Sequence, residues 1–362
     1  MKVLHVITTI NLGGAENHLI DLVKAQFSSG KTVIVVYLKG DHFWRDFLEK
    51  IGIKVYCLNC NNRMIFFKFP LLSEIISKEN PDIVHSHMPP AEMISWLSLS
   101  NLKKKYHWVV SKHNDERFAP IPFEKLLARF VSKRAEKIIC ISNAVKRYMA
   151  STTGLPTEKL ILIYYSVDID KFESANKAQD LNFSNKVVIG TIGRLVPQKS
   201  METLITAFSS YSRNNPDALL VIVGSGKLED KLKKLAIELG VDRKIVWTGQ
   251  RKDIPSVIKA FDIFVLSSIY EGFGLVLLEA MASKVPIIAT NVSAIPEVLD
   301  NGRCGILFDA KNVEQLESAL VQLKDPSLRL KYAELGFDRA SNFFSINKME
   351  LETENIYNLV TK

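Results

Sequence analysis

The chain has 362 residues, 47% of them apolar, with 47 Lys and Arg against 39 Asp and Glu for a formal charge of +8. That length predicts two domains, and the ordinary apolar and charged fractions exclude a disordered or fibrous protein. No apolar run reaches the roughly 18–20 residues that cross a bilayer, and four scattered cysteines exclude a disulfide framework. Residues 2–8 read as a fully apolar strand running into a glycine turn, with no signal-cleavage pattern, so a soluble cytoplasmic chain is expected. A helix-period segment, 15–27, follows. Strand and helix then alternate: strand 32–37, helix 43–50, strand 54–58, helix 69–78, strand 83–87, helix 91–100 and strand 108–113. A basic helix at 123–134, strand 137–141, helix 144–149 and strand 160–164 complete this half. Near-continuous apolar strands alternating with helices argue for a parallel sheet covered on both faces.

A polar segment, 171–185, is the best linker, and the pattern restarts after it. Strand 186–192, helix 200–213, strand 218–223, helix 228–239, strand 244–248 and a short helix 254–259 come first. Strand 263–266, helix 276–282, strand 286–289, strand 305–308 and helix 313–324 follow, with a last helix at 346–360. Two doubly wound Rossmann-like sheets in tandem result: residues 1–175 and 176–345. Ligands of such sheets bind beyond the carboxyl ends of the strands, so a cleft faced by both domains is the expected site.

The turns at those strand ends are distinctive. Asn11-Leu12-Gly13-Gly14-Ala15-Glu16 puts two glycines where a helix begins, giving either a generic turn or a ligand-facing loop. Neither first turn carries GxGxxG, which disfavours a dinucleotide oxidoreductase. Gly193-Arg194-Leu195-Val196-Pro197-Gln198-Lys199 opens the second half; Arg194 and Lys199 are placed to converge on a diphosphate. Gly224-Ser225-Gly226 ends a further strand. The sharpest constellation is Ser268-Ile269-Tyr270-Glu271-Gly272-Phe273-Gly274-Leu275-Val276-Leu277-Leu278-Glu279. There the amides of Gly274, Leu275 and Val276 face a phosphate, and the carboxylates Glu271 and Glu279 sit in an apolar context where an idle charge is costly.

Other signals are weaker. Cys57 and Cys60 have CxxC spacing but no second ligand pair. His85 and His87 share a strand face; a metal pair, an acceptor contact and simple packing all remain open for them. Residues 103–147 hold 12 basic and 4 acidic side chains. Such a stretch fits an anionic membrane surface or acceptor, or a solvated helix face, and no zinc-finger, RRM or KH signature accompanies it to suggest nucleic acid.

Glu271 and Glu279, preceded by Gly193-Arg194 and Lys199, resemble the retaining glycosyltransferases of family 4, which have the GT-B fold. The likeness extends over the chain through Gly13-Gly14-Ala15-Glu16, Pro81-Asp82-Ile83-Val84-His85-Ser86-His87, Ile141-Ser142-Asn143-Ala144-Val145, Gly249-Gln250-Arg251-Lys252-Asp253 and Pro286-Ile287-Ile288-Ala289-Thr290. It implies a returning C-terminal helix, 346–362, on an acceptor-side first domain. It also implies transfer from a nucleotide sugar, most simply a UDP-sugar, to a glycan or lipid-linked acceptor of the cell envelope, with no metal and no cofactor. Arg194 and Lys199 would neutralise the leaving diphosphate, Glu279 would accept from the ribose, and Glu271 would contact the transferred sugar. Phe273, Gly274, Leu275 and Val276 would cradle sugar and phosphate, and His113 would lie near the reacting sugar. Gly13, Gly14, Gly224 and Arg251 complete the expected donor set. Ser200 stands where the family has glycine, and Asp168-Ile169-Asp170, with metal-transferase spacing, is read as structural. The alternatives are a sugar-nucleotide epimerase on the same fold and a catalytically silent nucleotide-sugar-binding scaffold. The expected location is cytoplasmic, or peripheral on the inner face of the membrane.

Overall fold

A computed structural model describes residues 1–60, 65–113 and 121–362. The chain divides into two units: Met1–Ser166 with Ile346–Lys362, and Val167–Ser345.

The first unit runs β1 (Lys2–Ile7), α1 (Gly14–Ser28), β2 (Thr32–Tyr37), α2 (Arg45–Lys50), β3 (Lys54–Cys57), α3 (Phe69–Glu79) and β4 (Ile83–His87). It continues α4 (Pro89–Asn101), β5 (His107–Lys112), α5 (Ile121–Arg134), β6 (Lys137–Cys140), α6 (Asn143–Tyr148) and β7 (Leu160–Leu162). Its seven strands are parallel in the order β3-β2-β1-β4-β5-β6-β7. The second unit runs α7 (Ile169–Glu173), β8 (Val187–Ile192), α8 (Met201–Arg213), β9 (Ala218–Val223), α9 (Glu229–Glu238), β10 (Ile245–Gly249), α10 (Ile254–Lys259) and β11 (Ile263–Leu266). Then come α11 (Leu275–Ala282), β12 (Ile287–Thr290), α12 (Ile295–Val298), β13 (Ile306–Phe308), α13 (Val313–Gln322) and α14 (Pro326–Phe343). Its six parallel strands lie in the order β10-β9-β8-β11-β12-β13. Both sheets are thus wound outward from a central pair, β1/β4 and β8/β11, and each pair is a switch point where the loops diverge.

The last helix, α15 (Ile346–Thr361), belongs to the first unit. Met349, Ile356, Tyr357 and Val360 recur at helical spacing and enter the core with Val3, Leu22, Ile83, Val109 and Ile139. Burial of each such side chain contributes about 1.5–3 kcal/mol. Lys31, almost buried, adds ion pairs to Glu350 at 2.7 Å and Glu354 at 3.2 Å.

The second unit begins at Val167, earlier than the polar segment 171–185. Val167 N–H donates to Phe344 O at 2.9 Å, which ties residue 167 to the end of α14. Asp168 caps α7 by accepting from Lys171 N–H at 3.1 Å, so its spacing to Asp170 serves a helix start. Helix α14 was not expected from periodicity. Its buried residues are only Ala333, Gly336 and Ala340, a stripe too small to register as amphipathic. The stripe lets α14 lie close on α11: a Cβ at Gly336 would stand 3.3 Å from Met281 Cγ. Its start did carry a signal, because Asp325 caps through Ser327 N–H and Pro326 follows at the first helical position.

Candidate active site

In the second unit, the loops after β8, β9 and β11 meet beyond the carboxyl edge of the sheet. Ile269 N–H donates to Gln198 O at 2.8 Å, and Gln198 Nε2 donates to Tyr270 O at 3.0 Å, joining the β8 and β11 loops. Leu195 N–H donates to Ser225 O at 2.9 Å, joining the β9 loop. Gly224 is required by this approach: its φ is +132°, and a Cβ there would fall 2.0 Å from Gly193 O. The expected cations and carboxylate come together here. Lys199 Nζ forms an ion pair with Glu271 Oε1, and their side chains are only 13% and 10% exposed. Ser268 Oγ donates to the same oxygen at 2.7 Å. Arg194 is exposed on the same loop, its guanidinium 3.4 Å from Gln198 Oε1. Gln198 and Ser268 were not anticipated, and only their places at strand ends could have singled them out.

The ion pair stands at the start of α11. Gly274 precedes that helix at φ +84°, a left-handed conformation natural to glycine. The first amides of a helix have no intrahelical partner, so Leu275 and Val276 present donors at the switch point. Glu279 lies half-buried one turn further along. The Phe273 side chain is 2% exposed and meets Phe344 edge-on at 5.7 Å, so a ligand would find only its backbone. Ser200 takes the left-handed conformation, φ +46°, that glycine would hold without strain, and its Oγ bonds Thr203 Oγ1 at 2.9 Å. The helix start is therefore kept despite the absent glycine.

Arg251, expected in the donor set, is engaged by carboxylates of its own unit. Its guanidinium forks onto Asp180 and onto Asp253, the latter at 2.6 Å and 2.8 Å. Those carboxylates hold its pKa above the ordinary arginine value. The resemblance placed Arg251 in the donor set; in this structure its planar fork is matched by two carboxylates.

The first unit has a different centre. His5 on β1 stands in register with His85 on β4, and His87 follows two residues on. Together with Tyr165, His113, Gln26, Tyr357 and Ser111 these rings form one hydrogen-bonded chain. Tyr165 OH meets His113 Nδ1 at 2.7 Å, His113 Nε2 meets His87 Nδ1 at 3.3 Å, and His87 Nε2 meets His5 Nδ1 at 3.0 Å. His5 Nε2 meets Gln26 Oε1 at 2.8 Å, and Gln26 Nε2 donates to Tyr357 OH at 3.3 Å. Tyr357 OH meets His85 Nδ1 at 2.7 Å, and His85 Nε2 meets Ser111 Oγ at 2.7 Å. The Gln26 oxygen can only accept, so His5 carries its proton on Nε2, and with neutral rings the same assignment passes to His87 and His113; the hydroxyls of Tyr357 and Ser111 donate or accept, so His85 fits either tautomer. All four histidines are then neutral, and His5, His87 and His113 each donate from Nε2 and accept at Nδ1. Burial enforces this by disfavouring the charged form: it pulls His5 down to about 4 and His113 down to about 3, and lowers His85 and His87 well below the usual value.

This arrangement bears on several expectations. His5, His85 and His87 form the one metal-sized triad among the described residues, with ligand atoms within 4.8 Å. Every one of their ring nitrogens already has a hydrogen-bond partner, and no carboxylate stands in the triad to offset a cation. His87 is fully buried, as the packing alternative expects. His113, expected near the reacting sugar, has both ring nitrogens in hydrogen bonds here, to Tyr165 OH and His87 Nδ1. Sequence reading reached His85, His87 and His113 but not His5, Gln26, Tyr165 or Tyr357. Histidines interrupting adjacent apolar strands were the available signal. Gly13 and Gly14 precede α1; a Cβ at Gly13 would lie 2.4 Å from Glu16 Oε2, so this glycine makes room for a carboxylate of its own helix. Glu16 in turn accepts from Thr9 Oγ1 at 2.5 Å. Cys57, Cys60, Cys140 and Cys304 are free thiols.

The family model for group 1 glycosyl transferases matches residues 173–337, and the model for glycosyltransferase family 4 matches residues 12–171. The chain belongs to the group 1 glycosyltransferases. A UDP-Gal:α-D-GlcNAc-diphosphoundecaprenol α-1,3-galactosyltransferase of Escherichia coli is 28% identical to it over 299 residues, 79% of this chain and 77% of that one. A glycosyltransferase structure from Rickettsia africae superposes on this transferase with a TM-score of 0.87 at 25% identity, over 100% of this chain and 98% of that one. An Anabaena protein, HepE, solved with UDP and glucose, superposes with a TM-score of 0.88 at 20% identity, over 99% and 100% of the two chains. The fold of this glycosyltransferase is GT-B. Among its described residues no helix is long and apolar enough to cross a membrane.

Proposed function

We propose that this glycosyltransferase moves a sugar from a UDP-sugar to a glycan or lipid-linked acceptor of the cell envelope, retaining the anomeric configuration and using no metal ion. The observation that carries the reading is the buried Lys199–Glu271 pair at the α11 N-terminus, with Arg194 exposed on the same loop. Departure of a nucleoside diphosphate leaves negative charge on phosphate oxygens. Arg194, Lys199 and the free amides of α11 would stabilise that charge, usually the largest catalytic contribution. Glu271, fixed by Lys199 and Ser268, would accept from the sugar hydroxyls, and Glu279 from the ribose. A double displacement needs two carboxylates about 5 Å apart across the bond. With Glu279 given to the ribose, the leaving phosphate takes the acceptor proton on the same face, which accounts for retention. The named substrates of the E. coli relative and the UDP bound to HepE support a uridine donor and a lipid-linked acceptor.

The deciding experiment is a thermal-shift panel with UDP, GDP, ADP, CMP and NAD on the whole chain. A ligand at about 100 times its Kd adds about 2.7 kcal/mol, several degrees for domains of this size. The expected result is a shift with UDP that is lost in Glu279→Ala; a shift with another diphosphate replaces the base, and no shift overturns the donor reading. Product NMR then reads the anomer, and EDTA is expected to leave turnover within about twofold. Docking on an anionic membrane through the exposed Lys103, Lys104 and Lys105 belongs to the same reading. Co-sedimentation with phosphatidylglycerol vesicles, and none with phosphatidylcholine, is the expected result.

A further inference from the structure

Two serines follow β11 directly, and both are buried. Ser268 Oγ donates to Glu271 Oε1. Ser267 Oγ donates instead to Lys199 O at 2.8 Å and lies 3.1 Å from Ser200 O. Adjacent hydroxyls therefore hold the two partners of the Lys199–Glu271 pair, one by its carboxylate and the other by its main chain.

The 199–200 turn needs such a hold. Ser200 keeps φ +46°, a left-handed conformation that strains a residue with a Cβ and that glycine adopts freely. Ser200 Oγ meets Thr203 Oγ1 at 2.9 Å and Ser200 O accepts from Thr203 N–H at 3.1 Å, which ties the turn to α8. The sheet side is tied by the chain after β11. Ser267 Oγ binds Lys199 O, Ile269 N–H donates to Gln198 O at 2.8 Å, and Gln198 Nε2 donates to Tyr270 O at 3.0 Å. Thr290 Oγ1 donates to Ser268 O at 2.7 Å, so that chain is itself fixed to the end of β12. From the turn the Lys199 stem lies along Gly193, where an added Cβ would stand 3.4 Å from its Cδ and Cε. A rotation of the 199–200 peptide is thus passed along a packed stem to the ammonium.

We infer that Ser267 is a positioning residue for Lys199. Its hydroxyl holds a strained turn in place, so that the ammonium meets Glu271 and, on donor binding, the diphosphate. The inference rests on the glycosyl-transfer reading above for the diphosphate, whereas the hold on the turn is independent of it. Removing the hydroxyl takes a donor from the Lys199 carbonyl and lets the turn relax. Glycine at position 200 removes the strain, so the same turn then persists without the hydroxyl.

The test is calorimetric titration of UDP and UMP into the full chain and its variants. UMP lacks the distal phosphate, so the ratio of the two affinities reads the cations at the diphosphate, while a general loosening of the unit weakens both nucleotides alike. In Ser267→Ala the preference for UDP over UMP should fall at least fivefold. In Ser267→Ala combined with Ser200→Gly it should return to within twofold of the unsubstituted ratio. An unchanged preference in Ser267→Ala, an equal loss of both nucleotides, or a loss that Ser200→Gly does not restore overturns the proposal. Should Ser267→Ala fail to fold, Ser267→Cys decides, because a thiol is a weak donor of similar shape. The preference should then fall at least twofold, and no fall overturns the assignment. A lack of UDP preference in the unsubstituted protein would count against the donor reading. The crystal structure of Ser267→Ala then decides the positioning role: Lys199 Nζ more than about 4 Å from Glu271 supports it, and an unbroken pair overturns it.

Discussion

Both units place polar groups beneath or beside the switch point of a parallel sheet, and they satisfy them by opposite means. The second unit pairs full charges, Lys199 with Glu271. The first suppresses charge altogether and runs neutral rings head to tail from Tyr165 to Ser111. All seven histidines fall within residues 1–113, and the second unit contains none. The lesson is that one sheet topology tolerates either solution, provided that no donor or acceptor is stranded. The two solutions differ in what breaks them: protons break one and loss of a partner breaks the other.

Acid should therefore separate the units, and this is the largest effect expected. Histidine titrates near 6.5 when unfolded, whereas His5 is held at about 4 and His113 at about 3. Between those limits the unfolded chain binds more protons, so the stabilisation is complete above about pH 6.5 and falls as pH drops towards 4. At pH 5 each such histidine costs the first unit about 2 kcal/mol. Unit-resolved hydrogen exchange from pH 7.5 to 5 should show protection lost in residues 1–166 ahead of 167–345; a parallel loss in both would break the comparison. Lys199→Ala comes next. It strands Glu271 with both side chains nearly buried, a loss of about 3–5 kcal/mol. If it folds, turnover should drop about 10²–10³-fold, as should that of Arg194→Ala without the stability loss. Unchanged turnover in Arg194→Ala would remove the leaving-group role.

A smaller effect is expected of Tyr357→Phe, which deletes one link of the neutral chain and leaves His85 Nδ1 and Gln26 short of a partner. A loss of about 1–3 kcal/mol in urea unfolding, with the UDP shift intact, would confirm that the network stabilises without binding donor. Smallest of all is Arg251→Ala. Its carboxylate partners are 59% and 47% exposed, so about 0–1 kcal/mol is at stake. UDP affinity should stay the same, and a tenfold loss would return Arg251 to the donor site.

The parallel sheets and the approximate strand limits were legible because buried parallel strands are short apolar runs, and the loop chemistry was legible because glycine and charge stand out at their ends. Helix α14 was hidden because its contact stripe is Ala333, Gly336 and Ala340, which carry no periodic apolar signal. The partnership of Lys199 with Glu271 was hidden for another reason. Two residues 72 apart in sequence are joined only by the neighbouring of β8 and β11, and their chemistry suggests ligands before it suggests each other. Arg251 shows the converse: the resemblance pointed it at a donor, while the ion pair it makes with Asp180, 71 residues away, was not legible from its own motif. The histidine chain required register across β1, β4 and β5 and a helix at the far end of the chain.

That helix has a consequence for synthesis. Residues 167–345 are continuous and can fold as soon as they leave the ribosome, whereas the first unit waits for α15 to supply Tyr357 and to cover Val3, Ile83 and Val109. The half of the molecule that is translated first is thus finished last. Until residue 346 onwards has emerged, a nascent chain carries an open sheet face with His85 Nδ1 lacking its Tyr357 partner, the kind of exposed surface that chaperones cover.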